Sequence, residues 1–185
     1  VIGLHGKFAF YDTVNKDKRE GVEARDEVEY LQKYINELKD KVDITVLLVH
    51  EGVPARQSSF GATDVSRMLQ KDIDLAKQVD GIDVLITGHA HVGTPEPIKV
   101  NDTLIVSTDS YGINLGKLVL DVDDNTNKIK GYKGQLINMF ADEHTPDPAT
   151  QKKIDDWTKK LETITLEKIG NANVELTRAY GESSL

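Results

Sequence analysis

The chain has 185 residues, 38% apolar and 29% charged, with 23 basic against 31 acidic side chains and a formal net charge of −8. That is enough chain and enough apolar residue for one domain with a real core, or one domain and the start of another. It excludes an apolar run of the ~18 residues a membrane span needs and a basic stripe for gripping a nucleic-acid backbone. The absence of Cys excludes disulfides, thiolate metal sites and Cys nucleophiles.

Residues 1–4 read as a short buried strand. Residues 21–38 read as an amphipathic helix, with Val22, Val28, Leu31, Ile35 and Leu38 near one face. Residues 44–49 form a continuous aliphatic run, as expected of a central strand buried on both faces. Residues 63–79 read as a second helix and 83–87 as a second buried strand, so the first half predicts an α/β unit with parallel pairing. After Pro97 the pattern changes to short strands at 98–100, 103–107, 116–122 and 128–137. Turn signals at Asn101-Asp102 and Asp123-Asp124-Asn125 make this region largely antiparallel. Asp147-Pro148 opens a third helix running to about Ile164, with a Lys-rich, solvated face. The chain starts on an apolar strand without Met and stops without an obvious stop signal, which reads as a fragment.

Two of the buried strands end in histidine: Val49-His50-Glu51-Gly52 and Thr87-Gly88-His89-Ala90-His91. Ligands of open α/β sheets gather outside the carboxyl ends of the strands. In extended backbone, His89 and His91 would project to one side, and Gly88 permits a close approach there. Imidazole is a common ligand for zinc, manganese-type and iron ions. A lone histidine after a strand is commonly just a hydrogen-bonded residue. Three of them at sheet ends favour a metal site at His50, His89 and His91. His5 follows the first strand but nothing in the sequence pairs with it, and His144 lies in a polar loop. Glu51 reads as a solvent-facing carboxylate or one supporting a ligand. The stretch Ser58-Ser59-Phe60-Gly61 is a polar loop without the pattern of a nucleophile elbow. Asp121–Asn127 lacks the central Gly and terminal Glu of a calcium loop, so it reads as a β-turn. With a net charge of −8, an anionic phosphate ester would need bound cations to hold it.

The Gly88-His89-Ala90-His91 string, with His50-Glu51-Gly52 ending an earlier strand, resembles the calcineurin-like metallophosphoesterases, in particular the bacterial 5′-nucleotidase and 2′,3′-cyclic phosphodiesterase branch. Residues 101–106 and 112–118 resemble the strands that follow this motif, and Glu182-Ser183-Ser184-Leu185 resembles the start of that branch's C-terminal domain. The resemblance implies the second half of a βαββα sandwich, an α/β fold with a parallel or mixed sheet followed by antiparallel strands and a C-terminal connector helix. It divides the chain into the catalytic half-domain at 1–140, a linker with the connector helix at 141–175 and the start of a substrate-binding domain at 176–185. It implies two divalent ions of the zinc, manganese, magnesium or iron type, His50 and His89 on one and His91 on the other. It also implies attack of a metal-activated water on the phosphorus of a nucleotide. The remaining ligands and the general acid of the family come from segments ahead of the first histidine, and no such segment precedes His50 here. The fragment alone is therefore expected to be inactive.

The expected partner is a nucleotide or another small phosphate ester, not a nucleic-acid polymer, with self-association through apolar surface left exposed by the cut. The family implies a periplasmic or cell-surface setting. Two other readings share the scaffold: a sulfur-ester hydrolase, and a non-catalytic metal-binding or structural module.

Overall fold

The computed structural model describes residues 1–53 and 64–173, and beyond them the backbone of 178, 179, 182 and 183. The chain divides into two compact units, Val1–Met139 and Phe140–Leu185.

The first unit is built on a five-stranded sheet in the order β1-β2-β3-β5-β4, from β1 (Ile2–His5), β2 (Val46–Glu51), β3 (Val84–His89), β4 (Ile98–Val100) and β5 (Thr103–Ser107). β1, β2, β3 and β5 are parallel, and β4 returns antiparallel on β5. The strand at 103–107 pairs antiparallel with β4, as expected of this region, and also joins the parallel sheet through β3. Its turn residue Asn101 takes the left-handed conformation (φ 51°), which Asn tolerates.

Helix α2 (Glu27–Leu38) starts later than the expected residue 21. Asp26 accepts from the Glu29 amide at 2.9 Å and caps the helix, with Glu27 and Glu29 in the favourable first turn. The expected single helix at 63–79 is two, α3 (Val65–Met68) and α4 (Gln70–Gln78), broken at the fully buried Leu69. A short helix α1 (Lys7–Thr13), which the sequence did not suggest, follows β1.

Leu31 and Ile35 of α2 and Leu75 and Ala76 of α4 join Leu47, Val49, Leu85 and Ile105 in one core. By register, these strand residues share one face of the sheet. The opposite face is covered at Val84 and Leu104, each 2% exposed, and open at Leu48 and Ile86, 52% and 39% exposed. The central strands are thus covered on both faces over only part of their length, less than their continuous aliphatic runs suggest.

A long antiparallel hairpin, β6 (Asn114–Asp123) and β7 (Lys128–Asn138), completes the unit. Ile86, Val106, Leu115, Leu118 and Leu136 line a cleft of about 480 Å³ between hairpin and sheet. Gly134 of β7 lies flat on Pro97, since a Cβ there would fall 2.6 Å from Pro97 Cδ and 2.8 Å from Cγ. A proline ring cannot swing aside, so Gly134→Ala should destabilise the unit by about 1–3 kcal/mol, as overpacking does. Urea unfolding checks this, and an unchanged midpoint would show that the hairpin is not seated on Pro97.

In the second unit Asp147 caps α5 (Pro148–Thr165), accepting from the Thr150 amide at 2.8 Å, with Pro148 in the first turn where it lacks no partner. The helix buries none of its residues, and its Lys160 ammonium lies 4.5 Å over the Trp157 ring. Two short strands, β8 (Arg178–Ala179) and β9 (Glu182–Ser183), pair antiparallel. The polar stretch at 58–61 and the tail at 184–185 lie outside the described residues.

Candidate metal centre

The parallel register of β1, β2 and β3 brings three histidines to one rim. His5 stands opposite His50, His50 opposite Gly88, and Glu51 opposite His89. The His50 and His89 rings meet edge-on with centroids 5.0 Å apart, and His5 and His50 with centroids 5.6 Å apart. A Cβ at Gly88 would already touch the His50 ring, 3.4 Å from Nδ1, so a larger side chain would fill the space the imidazole uses. His5, which had no partner in the sequence, gains one through strand pairing.

The His89-Ala90-His91 segment is not extended. His89 (φ 73°) and His91 (φ 57°) both adopt the left-handed region, and the Ala90 amide donates to the Gly88 carbonyl at 3.0 Å across a one-residue turn. Such a conformation costs a non-glycine residue about 1–2 kcal/mol, and strain of this kind concentrates at functional sites. The turn also corrects the expectation that the two imidazoles project together from extended chain. His89 is buried at 8% exposure, while His91 is exposed and packs edge-on against Tyr111 at 5.4 Å.

Burial, then the neighbouring His5 and His91, lower the pKa of His50. At neutral pH its ring is therefore held in the uncharged form that a cation binds. His5 Nδ1 lies 3.2 Å from the Gly6 carbonyl, the kind of contact that fixes a histidine tautomer.

Glu51 is not solvent-facing. Strand alternation turns it to the closed face with Leu47 and Val49, at 1% exposure, beneath Gly6. A Cβ on Gly6 would fall 1.6 Å from the Glu51 carboxyl, so the position admits only glycine. Burial, then Glu27, push the Glu51 pKa up to about 7, against the opposing pull of the Ala9 and Gly52 amides.

His89 Nε2 lies 3.3 Å from Asp12 Oδ2, and the Phe8 ring meets the His89 ring edge-on at 6.3 Å. Phe8 and Asp12 are four residues apart on α1, hence on one helix face. Neither was visible from the sequence, because α1 itself was not. His144 is exposed just after a 3-10 turn in the second unit, as expected of a solvated loop.

The donor set therefore suits a divalent ion in kind, with imidazoles side by side and His50 held uncharged. It does not close a shell: among the described residues, no group of three or more His, Asp or Glu side chains could hold a metal ion.

No family model matches the chain. The trifunctional nucleotide phosphoesterase YfkN of Bacillus subtilis is 32% identical over 110 residues, which cover 57% of this chain and 8% of that protein. The metallophosphoesterase YunD of the same organism is 27% identical over 158 residues, 85% of this chain and 30% of that one. The chain is similar in sequence to bacterial nucleotide phosphoesterases and metallophosphoesterases. Solved phosphoesterase structures share its fold. YfkN superposes with a TM-score of 0.65 at 22% identity over 90% of this chain and 52% of that one. A 5′-nucleotidase precursor from Thermus thermophilus gives 0.63 at 23% identity over 83% and 30%. The chain thus spans less than a third of the length of its two sequence relatives, and its mixed α/β sheet with an antiparallel hairpin is the phosphoesterase arrangement.

Proposed function

We propose that the chain is part of the catalytic domain of a dinuclear-metal phosphohydrolase acting on nucleotides. His50 and His89 would hold one divalent ion and His91 would contribute to the second. The observation that carries this reading is the pair of imidazoles 5.0 Å apart at the carboxyl ends of adjacent parallel strands. Kinship with a nucleotide phosphoesterase supports the substrate class. Divalent ions, when bound, supply Lewis acidity and an activated water near neutral pH. The chain's own part is to fix imidazole positions through strand register and to keep His50 uncharged. A net charge of −8 requires local cations before an anionic ester can settle here.

The limb of the site that would complete each shell and protonate the leaving group is supplied by residues other than those described, so no general acid is assigned. A periplasmic or cell-surface setting is part of the same proposal. Among the described residues, no helix is long and apolar enough to cross a membrane.

The test is phosphate release from AMP by the protein that carries this chain, with manganese and after chelation. Strong release that chelation abolishes and manganese restores is the expected result. Release that survives exhaustive chelation would exclude the metal mechanism, and no release from any nucleotide would exclude the substrate class.

A further inference from the structure

The segment after β5 carries an exposed aromatic ring to the histidine rim. Ser110-Tyr111-Gly112-Ile113 closes a tight turn, with the Ile113 amide donating to the Ser110 carbonyl at 3.3 Å. Both central residues lie in the left-handed region, Tyr111 at φ 61° and Gly112 at φ 72°, as in a type I′ turn. Glycine, asparagine and aspartate suit such positions, and tyrosine is strained there.

The turn is held from both ends. Asp109 accepts from the Gly93 amide at 3.1 Å and from the Asn114 side-chain amide, which ties the turn to the loop that follows His91. On the other side the Met139 amide, just past β7, donates to the Ile113 carbonyl at 2.8 Å. The tip is thereby fixed, and the Tyr111 and His91 rings meet edge-on with centroids 5.4 Å apart. Tyr111 is nonetheless 89% exposed, so its ring adds little to the core. A residue that neither fills the core nor suits its backbone does little for the fold. Strain of this kind persists where the surrounding structure imposes it, and it gathers at ligand sites.

An open aromatic face beside a polar rim suits a flat, conjugated ligand group. Base–aromatic stacking accepts every nucleobase, because each has a π-face. We propose that Tyr111 is the face on which the heterocyclic base of a nucleotide stacks, so that it sets a preference for nucleotides over sugar phosphates. This rests on the reading of the histidine rim as the place where the phosphate end of a nucleotide settles. The ring meets the base alone, so it acts on binding and selectivity and not on the bond that breaks.

The experiment compares hydrolysis of AMP and of ribose 5-phosphate by the protein that carries this chain, as wild type, Tyr111→Asn and Tyr111→Trp. Asparagine removes the ring but suits the left-handed backbone, so this variant keeps the turn and should unfold at no lower urea concentration than wild type. The preference for AMP, taken as the ratio of the two kcat/KM values, should fall at least about 5-fold in Tyr111→Asn, the lower end of what base stacking contributes. The fall should lie mostly in the KM for AMP, and Tyr111→Trp should restore it. A merely structural role would weaken both substrates together. An unchanged ratio in Tyr111→Asn would overturn the stacking role and leave the phosphohydrolase reading standing. Hydrolysis of neither substrate by wild type would overturn that reading, and adenosine added in the presence of chelator then decides for Tyr111 by itself, read on 13C-labelled tyrosine rings. A Tyr111 signal that moves with adenosine and not with ribose supports the stacking face, and one that stays still overturns it.

Discussion

His89→Ala is expected to lower metal-dependent phosphate release by at least roughly 100-fold, because changes that only reorient a ligand already cost ~10–100-fold. His89 ends β3, is almost buried, and is the imidazole that both His50 and Asp12 touch or approach. Under the proposed reading its loss removes a metal donor and unlocks the neighbour it packs against. His50→Ala should fall to a similar level, and the double variant should be little worse than either, since groups that act as one unit are strongly non-additive. Gly88→Val tests the same centre without removing a donor, by filling the space beside the His50 ring. The measurement is activity and metal content together, in the protein that carries this chain. Loss of both in parallel places His89 in the centre. Activity that survives the substitution with metal still bound would remove His89 from it.

The sheet and the position of the site were legible because their signals are local. Short β-branched and aliphatic runs at 46–49 and 84–86, bounded by turn signals, favour strands, and histidines after them then fall at or just beyond strand ends. What the sequence did not disclose depends on pairing. His5 becomes part of the rim only because β1 pairs with β2 in a register that sets it beside His50. Glu51 turns inward because the strand runs one residue beyond the histidine, and alternation then directs its carboxyl to the core. Asp12 sits on a seven-residue helix with no side-chain cap and one buried residue, too short to leave a periodic signal. The kink at His89 and His91 is a backbone choice that nothing in a Gly-His-Ala-His string announces, since β-strand and left-handed turn are both open after a glycine. The exposure of Leu48 and Ile86 is invisible for a related reason: a continuous aliphatic run says that a strand can be covered twice, not that it is along its whole length.

Asp72→Asn should stabilise the protein above neutral pH and flatten the pH dependence of its stability. Asp72 lies in the first turn of α4 with no exposed surface, and neither carboxyl oxygen completes a hydrogen bond of ordinary geometry. Burial raises its pKa from 3.8 to about 7. Glu27 adds to the shift, while the Thr87 hydroxyl and the Asp72 amide pull against it. Between those two values the folded chain keeps a proton that the unfolded chain has shed, so unfolding releases a proton and stability falls as pH rises. The contribution is intact below pH 3.8, declines by about 1.4 kcal/mol per pH unit through the window, and is flat above about 7. The whole loss is on the order of 4 kcal/mol, a large fraction of the ~5–15 kcal/mol that holds a domain together. Asparagine has nearly the same shape and no charge to desolvate, so it escapes the loss at every pH. Removing the Asp72 charge also relieves Glu51, whose pKa it helps to raise, and this acts in the same direction. Urea midpoints of both proteins at pH 5, 6, 7 and 8 should diverge in favour of the variant up to about pH 7 and run parallel beyond. Curves that stay parallel throughout would mean that Asp72 is ionised in the folded protein, and that a cation or donor reaches it in solution.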